Sequence, residues 1–310
     1  MLSWGDRCAV SETPRNLVAA EDCTADQPGC LLMQDLVFLK LGGSILTDKQ
    51  RPEALDEPAL ERVVTAIAAM RREAATPQLL IGHGAGSFGH YWANLYGTHL
   101  GAHDARGWEG VVRVADAMRR LNGEVVQRLL QSGVEAVAIQ PSASAVTEQG
   151  MLTTMAVEPL RALLDADLVP VVHGDVAVDR VQGVAIISTE AVFAFLAERL
   201  RPRRIILVGE DAVYNADPRR NPNAMRIPVI DDSNIAQVLQ QTSGSHGIDV
   251  TGGMAAKVAT MWRLVRAVDG LEVRVVGVDA QAIGEAMRGD QPTVGTVIRR
   301  DSPDKSQVSD

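Results

Sequence analysis

Cysteine is confined to one end of this chain: the three cysteines are Cys8, Cys23 and Cys30, and none follows Met33. The rest of the sequence therefore cannot form a disulfide, a CxxC redox pair or a cysteine-based zinc site. Aromatic residues are sparse at 4%, but 46% hydrophobic and 22% charged residues are ordinary for a globular protein, which excludes collagen, disorder and a disulfide scaffold. No apolar run approaches the roughly 18 residues of a membrane span, and the N-terminus lacks a basic stretch followed by an apolar one. The expectation is a cytoplasmic protein without a membrane partner. Basic residues are also in deficit, 30 Lys and Arg against 39 Asp and Glu for a net charge of −9. With no long run of Lys or Arg, a broad polyanion surface is not expected, and nucleic acid is excluded as a partner; a small anion in a local basic pocket is not. Several catalytic signatures are missing too. There is no GxxxxGK[ST] loop, no HRD or DFG set, no GxSxG elbow and no HExxH pair, and the six histidines lack metal-ligand spacing, so no metal site is assigned.

The sequence does contain an alternation of short apolar runs with longer helical patterns. Strands are predicted at Leu36–Leu41, Leu79–Gly82, Ala136–Gln140, Val169–His173, Arg204–Val208, Glu272–Gly277 and Thr293–Arg299. Their continuous Val, Ile and Leu content suits a sheet covered on both faces. Helices are predicted at Glu57–Glu73, His103–Ser132, Glu158–Asp167, Glu190–Leu200, Ser233–Gln241, Gly253–Val268 and Ala280–Met287. Such an order implies right-handed crossovers and an α/β fold, a three-layer αβα sandwich with a mostly parallel central sheet. Asp175–Ile187, with a turn signal at Asp179–Gly183, reads as an antiparallel hairpin. Residues 1–34 show no periodicity and are expected to be a disordered extension, with Met33 a candidate start; residues 301–310 read as a frayed tail.

Three glycine-rich loops follow strands, where ligands of such sheets gather. The first is Lys40-Leu41-Gly42-Gly43-Ser44, with Lys49 shortly after. Paired glycines let backbone N–H groups approach a phosphate, and a lysine at a strand end adds a point charge; alone, the segment fits a tight turn with a solvated lysine equally well. The second is Gly82-His83-Gly84-Ala85-Gly86-Ser87-Phe88-Gly89-His90, entering a helix. It satisfies GxGxxG, but the acidic residue a dinucleotide fold needs about 20 residues on, at the end of the next strand, is absent. An anion loop with His90 as a donor fits better. The third is Asp249-Val250-Thr251-Gly252-Gly253-Met254, followed by Lys257 on a helix. Its amides and ammonium would sit at a positive helix end, though a plain capped helix explains it too. Together the three loops point to phosphoryl transfer.

These loops, with Val171–Asp175 and Val213-Tyr214-x-x-Asp217-Pro218, occur in the order seen in amino acid kinase fold enzymes, and the chain most resembles the isopentenyl phosphate kinases, over about Met33 to Arg299. Ser87-Phe88-Gly89-His90 is the most specific match. The resemblance implies a cytoplasmic homodimer of isoprenoid biosynthesis that moves the γ-phosphate of ATP, with Mg²⁺, onto isopentenyl phosphate to give isopentenyl diphosphate. A related kinase acting on another small phosphate or phosphonate, such as a phosphonate antibiotic, is the alternative. It further implies a phosphate-acceptor lobe over 35–202 and a nucleotide-binding lobe over 203–300. Carried over by position, Lys40 would stabilise the transferring phosphoryl group, Lys257 the leaving side, Lys49 the nucleotide phosphates and His90 the acceptor phosphate. Gly42, Gly43, Gly84 and Gly86 would supply backbone donors with Ser44 nearby; Ala85, Ser87, Gly89, Gly174 and Asp175 would join the acceptor site, and Glu190, Asp211, Tyr214, Asp217, Gly252 and Gly253 the nucleotide site. Two departures stand out. Ser188-Thr189-Glu190 replaces the relatives' Ser-Gly-Asp, lengthening the lysine-orienting carboxylate by one methylene, and Val208-Gly209 replaces a polar pair that would face the nucleotide.

Overall fold

A computed structural model describes residues 35–48, 51–74, 76–243, 253–290 and 293–301. The predicted extension over 1–34, Lys49, Gly252 and the tail beyond Asp301 lie outside the described residues. The described residues from Asp35 to Asp301 form one compact unit.

The strands are β1 (Leu36–Leu41), β2 (Gln78–His83), β3 (Ala136–Ala138), β4 (Val146–Glu148), β5 (Met151–Thr154), β6 (Val169–His173), β7 (Asp175–Asp179), β8 (Gly183–Ile187), β9 (Arg204–Val208), β10 (Val229–Ile230), β11 (Glu272–Val276) and β12 (Thr296–Ile298). The helices are α1 (Gly43–Leu46), α2 (Glu57–Arg71), α3 (Gly86–Tyr96), α4 (Ala105–Gln131), α5 (Glu158–Asp165), α6 (Thr189–Leu200), α7 (Ile235–Ser243), α8 (Gly253–Ala267) and α9 (Ala280–Arg288). Eight strands make one sheet in the order β10-β12-β11-β9-β1-β2-β6-β3. Within it β12 runs antiparallel to β11, and the other described pairings are parallel. The chain winds outward from β1 in both directions, so β1 lies at the topological switch point, where an open α/β sheet leaves a crevice beyond its carboxyl ends.

Alternation along β1 decides what faces what. Leu36 and Phe38 pack into a core layer built with Val192, Phe193 and Leu196 of α6 and Val258, Met261 and Val265 of α8. Val37, Leu39 and Leu41 point the other way, into a layer with Leu60, Val63 and Ile67 of α2 and Ile283 and Met287 of α9. Lys40, two residues beyond Phe38, therefore emerges on the α6 and α8 side.

The predicted hairpin is present as β7–β8, but it belongs to a separate four-stranded sheet, β5-β4-β7-β8. Strands β4 and β5 escaped the sequence reading because they span three and four residues. Their turn uses Gln149 and Gly150, both at positive φ (51° and 79°), a hairpin geometry usually signalled by Asn-Gly. The strand predicted at Thr293–Arg299 narrows to Thr296–Ile298.

One glycine is required by the core itself. A Cβ on Gly82 would lie 2.4 Å from Cε1 of Phe193, whose ring sits 5.0 Å from that of Phe38. Phe193→Ala should cost about 3–5 kcal/mol of unfolding free energy in urea titration, and a cost under about 1 kcal/mol would contradict this packing.

Candidate active site

The glycine loops meet at the carboxyl ends of the central strands. Lys40 lies in register with Gly82 of β2 and Leu207 of β9, so the loops leaving β1, β2 and β9 emerge at one edge. A Cβ on Gly43 would fall 2.4 Å from the amide nitrogen of Gly86 and 2.9 Å from its Cα, while one on Gly84 would fall 2.7 Å from the nitrogen of Gly43. The first and second loops thus touch backbone to backbone, an approach that side chains would forbid.

Hydrogen bonds separate the amides that serve the sheet from those that can serve a ligand. Gly42 N–H donates to Val208 O (2.9 Å) and Gly84 N–H to Leu41 O (3.0 Å). These two glycines, expected as phosphate donors, therefore lock loop to strand. Gly43, Ser44, Ala85 and Gly86 sit at the starts of α1 and α3, and their N–H groups have no acceptor among the described residues. These are the exposed donors of a helix start. Gly89 donates to Ala85 O and lets α3 close on α4, since a Cβ there would lie 2.8 Å from Met118 Sδ. Ser87 is buried and its N–H donates to Thr47 Oγ1 at 2.9 Å.

The cationic side gathers around Glu190. Ser188 caps α6, its Oγ accepting from Ala191 N–H at 3.1 Å, which puts Glu190 in the first turn. Lys40 Nζ donates to Glu190 Oε1 at 2.6 Å. Burial opposes ionisation of Glu190, but the charge and hydrogen bond of Lys40, with the charge of Lys257 near the start of α8, hold its carboxyl below the ordinary carboxylate value. Glu190 is thus an ionised post that orients Lys40. The extra methylene expected at this position still reaches Lys40. Thr189 donates its hydroxyl to His83 O at 2.6 Å and ties α6 to the end of β2.

Beneath the second loop lies a polar layer that the sequence did not reveal. The rings of His83 and His173 stack with centroids 5.4 Å apart, both fully buried. His83 ring nitrogens lie 3.2 Å from Gly84 O and 3.1 Å from Asn122 Oδ1. His173 Nδ1 lies 2.9 Å from Gly174 O, and its Nε2 is buried without a partner among the described residues. Burial, together with the neighbouring His173, pushes His83 down to about 3, and burial pushes His173 down to about 4. Both rings are neutral near pH 7.

Asp175 belongs to this layer. It accepts from Ser142 N–H (3.1 Å) and Val176 N–H (2.9 Å), and burial raises its carboxyl to about 6. Placed this way it ties the end of β6 and the start of β7 to the turn at Ser142. Gly174, also expected at the acceptor, gives its N–H to His83 O at 3.1 Å.

His90 is exposed on the second turn of α3. Asp211 follows β9 and packs on Gly277, while Asp217 accepts from Arg219 N–H at 2.9 Å and Tyr214 bridges to Arg226. All three lie in the loop leaving the same sheet edge as Lys40. Phe88 and Met118 are core, Trp92 donates to Glu53 at 2.5 Å, and Tyr96 donates to Glu109 at 2.9 Å. Among the described residues no three His, Cys, Asp or Glu side chains converge to hold a metal. No described helix is long and apolar enough to cross a membrane.

Residues 35–277 match the model of the amino acid kinase family. The chain belongs to the amino acid kinase family. Isopentenyl phosphate kinase of Methanothermobacter thermautotrophicus is 33% identical, over 83% of this chain and 99% of the relative. That of Haloferax volcanii is 36% identical, over 85% and 98%. A solved isopentenyl phosphate kinase structure superposes with a TM-score of 0.71 at 30% identity, covering 85% of this chain and 99% of that one. Within the amino acid kinases, the chain is a phosphotransferase of the isopentenyl phosphate kinase group.

The stacked histidines give this kinase a pH signature. Because their folded values lie below the ordinary 6.5, the unfolded chain takes up protons first as pH falls, and stability is lost from about 6.5 downward. Asp175 works in reverse: its contribution is complete below 3.8 and disappears as pH rises through about 6, so it offsets part of the loss. The urea midpoint of the wild type should fall between pH 7 and 4.5 more steeply than that of His173→Phe, which keeps the stack without the titration. Parallel slopes would contradict the buried neutral pair.

Proposed function

We propose that the chain transfers the γ-phosphoryl group of ATP directly to isopentenyl phosphate, forming isopentenyl diphosphate. One observation carries the reading: Lys40 pairs with the carboxyl of Glu190, which also feels the charge of Lys257, beside the Gly43–Gly86 contact, in a chain 33% and 36% identical to isopentenyl phosphate kinases. The acceptor phosphate is already anionic near neutral pH, so the reaction needs no general base. Alignment and charge neutralisation are the whole task.

In this reading the amides of Gly43 and Ser44 hold the donor phosphates and those of Ala85 and Gly86 the acceptor. Lys40, oriented by Glu190, meets the charge on the phosphoryl group in flight, and Lys257 the charge on the departing diphosphate. His90 donates to the acceptor phosphate and Lys49 to the nucleotide. Mg²⁺ accompanies ATP on its own phosphates, the usual habit of this ion, which binds through few protein ligands. Residues 35–202 form the acceptor lobe and 203–300 the nucleotide lobe, joined by one sheet; Asp211, Tyr214, Asp217, Gly252 and Gly253 border the nucleotide. A cytoplasmic homodimer belongs to the same proposal.

Purified protein given ATP, Mg²⁺ and isopentenyl phosphate should release isopentenyl diphosphate. Phosphorylation of a small phosphonate, with no diphosphate formed from isopentenyl phosphate, would transfer the chain to a different acceptor. His90→Ala should lower kcat/KM for the acceptor about 10²–10³-fold with KM for ATP little changed.

A further inference from the structure

Thr47 belongs to none of the glycine motifs, yet it sits at the junction of two of them. It ends α1 in an extended conformation (φ −139°, ψ 146°) and is 2% exposed. Its hydroxyl donates to Gly43 O at 2.9 Å and accepts from Ser87 N–H at 2.9 Å. One buried oxygen thus bonds the loop after β1 to the loop after β2. A neighbouring contact runs in parallel: Glu53 N–H donates to Ser87 O at 3.4 Å.

The space for this oxygen is set aside in the backbone. Gly86 is at φ +50°, and a Cβ there would fall 2.1 Å from Thr47 Oγ1 and 2.7 Å from Gly43 O. The hydroxyl occupies the position that a side chain on Gly86 would take. Only a group that donates and accepts through one small atom satisfies both loops, and among side chains that is a hydroxyl.

We infer that Thr47 is a positioning residue, a strut whose hydroxyl fixes the spacing between the donor-phosphate amides (Gly43, Ser44) and the acceptor-phosphate amides (Ala85, Gly86). This rests on the phosphoryl-transfer reading given above. In-line transfer requires the two phosphates at one separation, and a displacement of about 1 Å from a residue outside the chemistry can cost about 10²-fold in rate. Thr47 touches neither phosphate. It holds the two cradles that do.

The test compares Thr47→Val, which keeps the shape and removes the oxygen, with Thr47→Ser, which keeps the oxygen. In the full chain, Thr47→Val should lower kcat about 10–100-fold while KM for ATP and for the acceptor each change less than about threefold. Thr47→Ser should stay within about threefold of wild type, and a residue important only for folding would not give this split. Amide hydrogen exchange should show Ser87 protected in wild type and Thr47→Ser and unprotected in Thr47→Val. A kcat for Thr47→Val within about twofold of wild type, equal loss in both variants, or a Ser87 amide still protected in Thr47→Val would overturn the inference. If the wild type phosphorylates a phosphonate and not isopentenyl phosphate, the substrate reading fails, and the same comparison on that acceptor still judges the strut. The exchange measurement needs no substrate at all.

Discussion

The site depends on a contact made by no side chain. Gly43 and Gly86 bring the first turns of α1 and α3 so close that a single added carbon would strike backbone. Everything else is arranged around that approach. It places four N–H groups that have no acceptor among the described residues, from Gly43, Ser44, Ala85 and Gly86, at one edge of the sheet. Fixed dipoles aimed at an empty space are the form of stabilisation that needs no rearrangement when charge develops there. They require a rigid support, and the strand-end hydrogen bonds of Gly42 and Gly84 and the bridge through Thr47 provide it.

The cations are organised by a second constraint. The ionised Glu190 pairs with Lys40 and orients it, and the charge of Lys257 adds to the field that keeps the carboxyl ionised. Breaking a partly buried pair of this kind leaves an uncompensated charge, which costs more than the pair itself contributes. The Ser-Thr-Glu sequence at the start of α6 is a coherent variant in this respect. Glu190 reaches Lys40, while Thr189 finds an acceptor in His83 O.

Much of this was legible in the sequence. The apolar runs located the central strands because a strand covered on both faces must be apolar throughout. Alternation along Leu36, Phe38 and Lys40 follows from the period of a strand and sets the lysine on the α6 side. The limits lie where chemistry depends on distant partners. Gly42 and Gly43 are indistinguishable as letters, yet one spends its amide on Val208 and the other does not. Glu190 lies 150 residues from Lys40, and no spacing rule connects them. Thr47 showed no signal, since a lone threonine after a turn is ordinary. The stacked histidines were hidden for the same reason: His83 was visible inside the glycine motif, but its partner His173 comes from another strand. Short strands with a Gln-Gly turn carried too little pattern to be found.

The backbone contact can be tested with one carbon atom. Gly43→Ala should leave the far-ultraviolet circular dichroism of the sheet and helices unchanged and reduce phosphoryl transfer by at least about 10²-fold, because the loops must separate by more than the reaction tolerates. An alanine variant within about threefold of wild-type turnover would show that the two cradles are not held by their backbones, and the account would fail at its foundation.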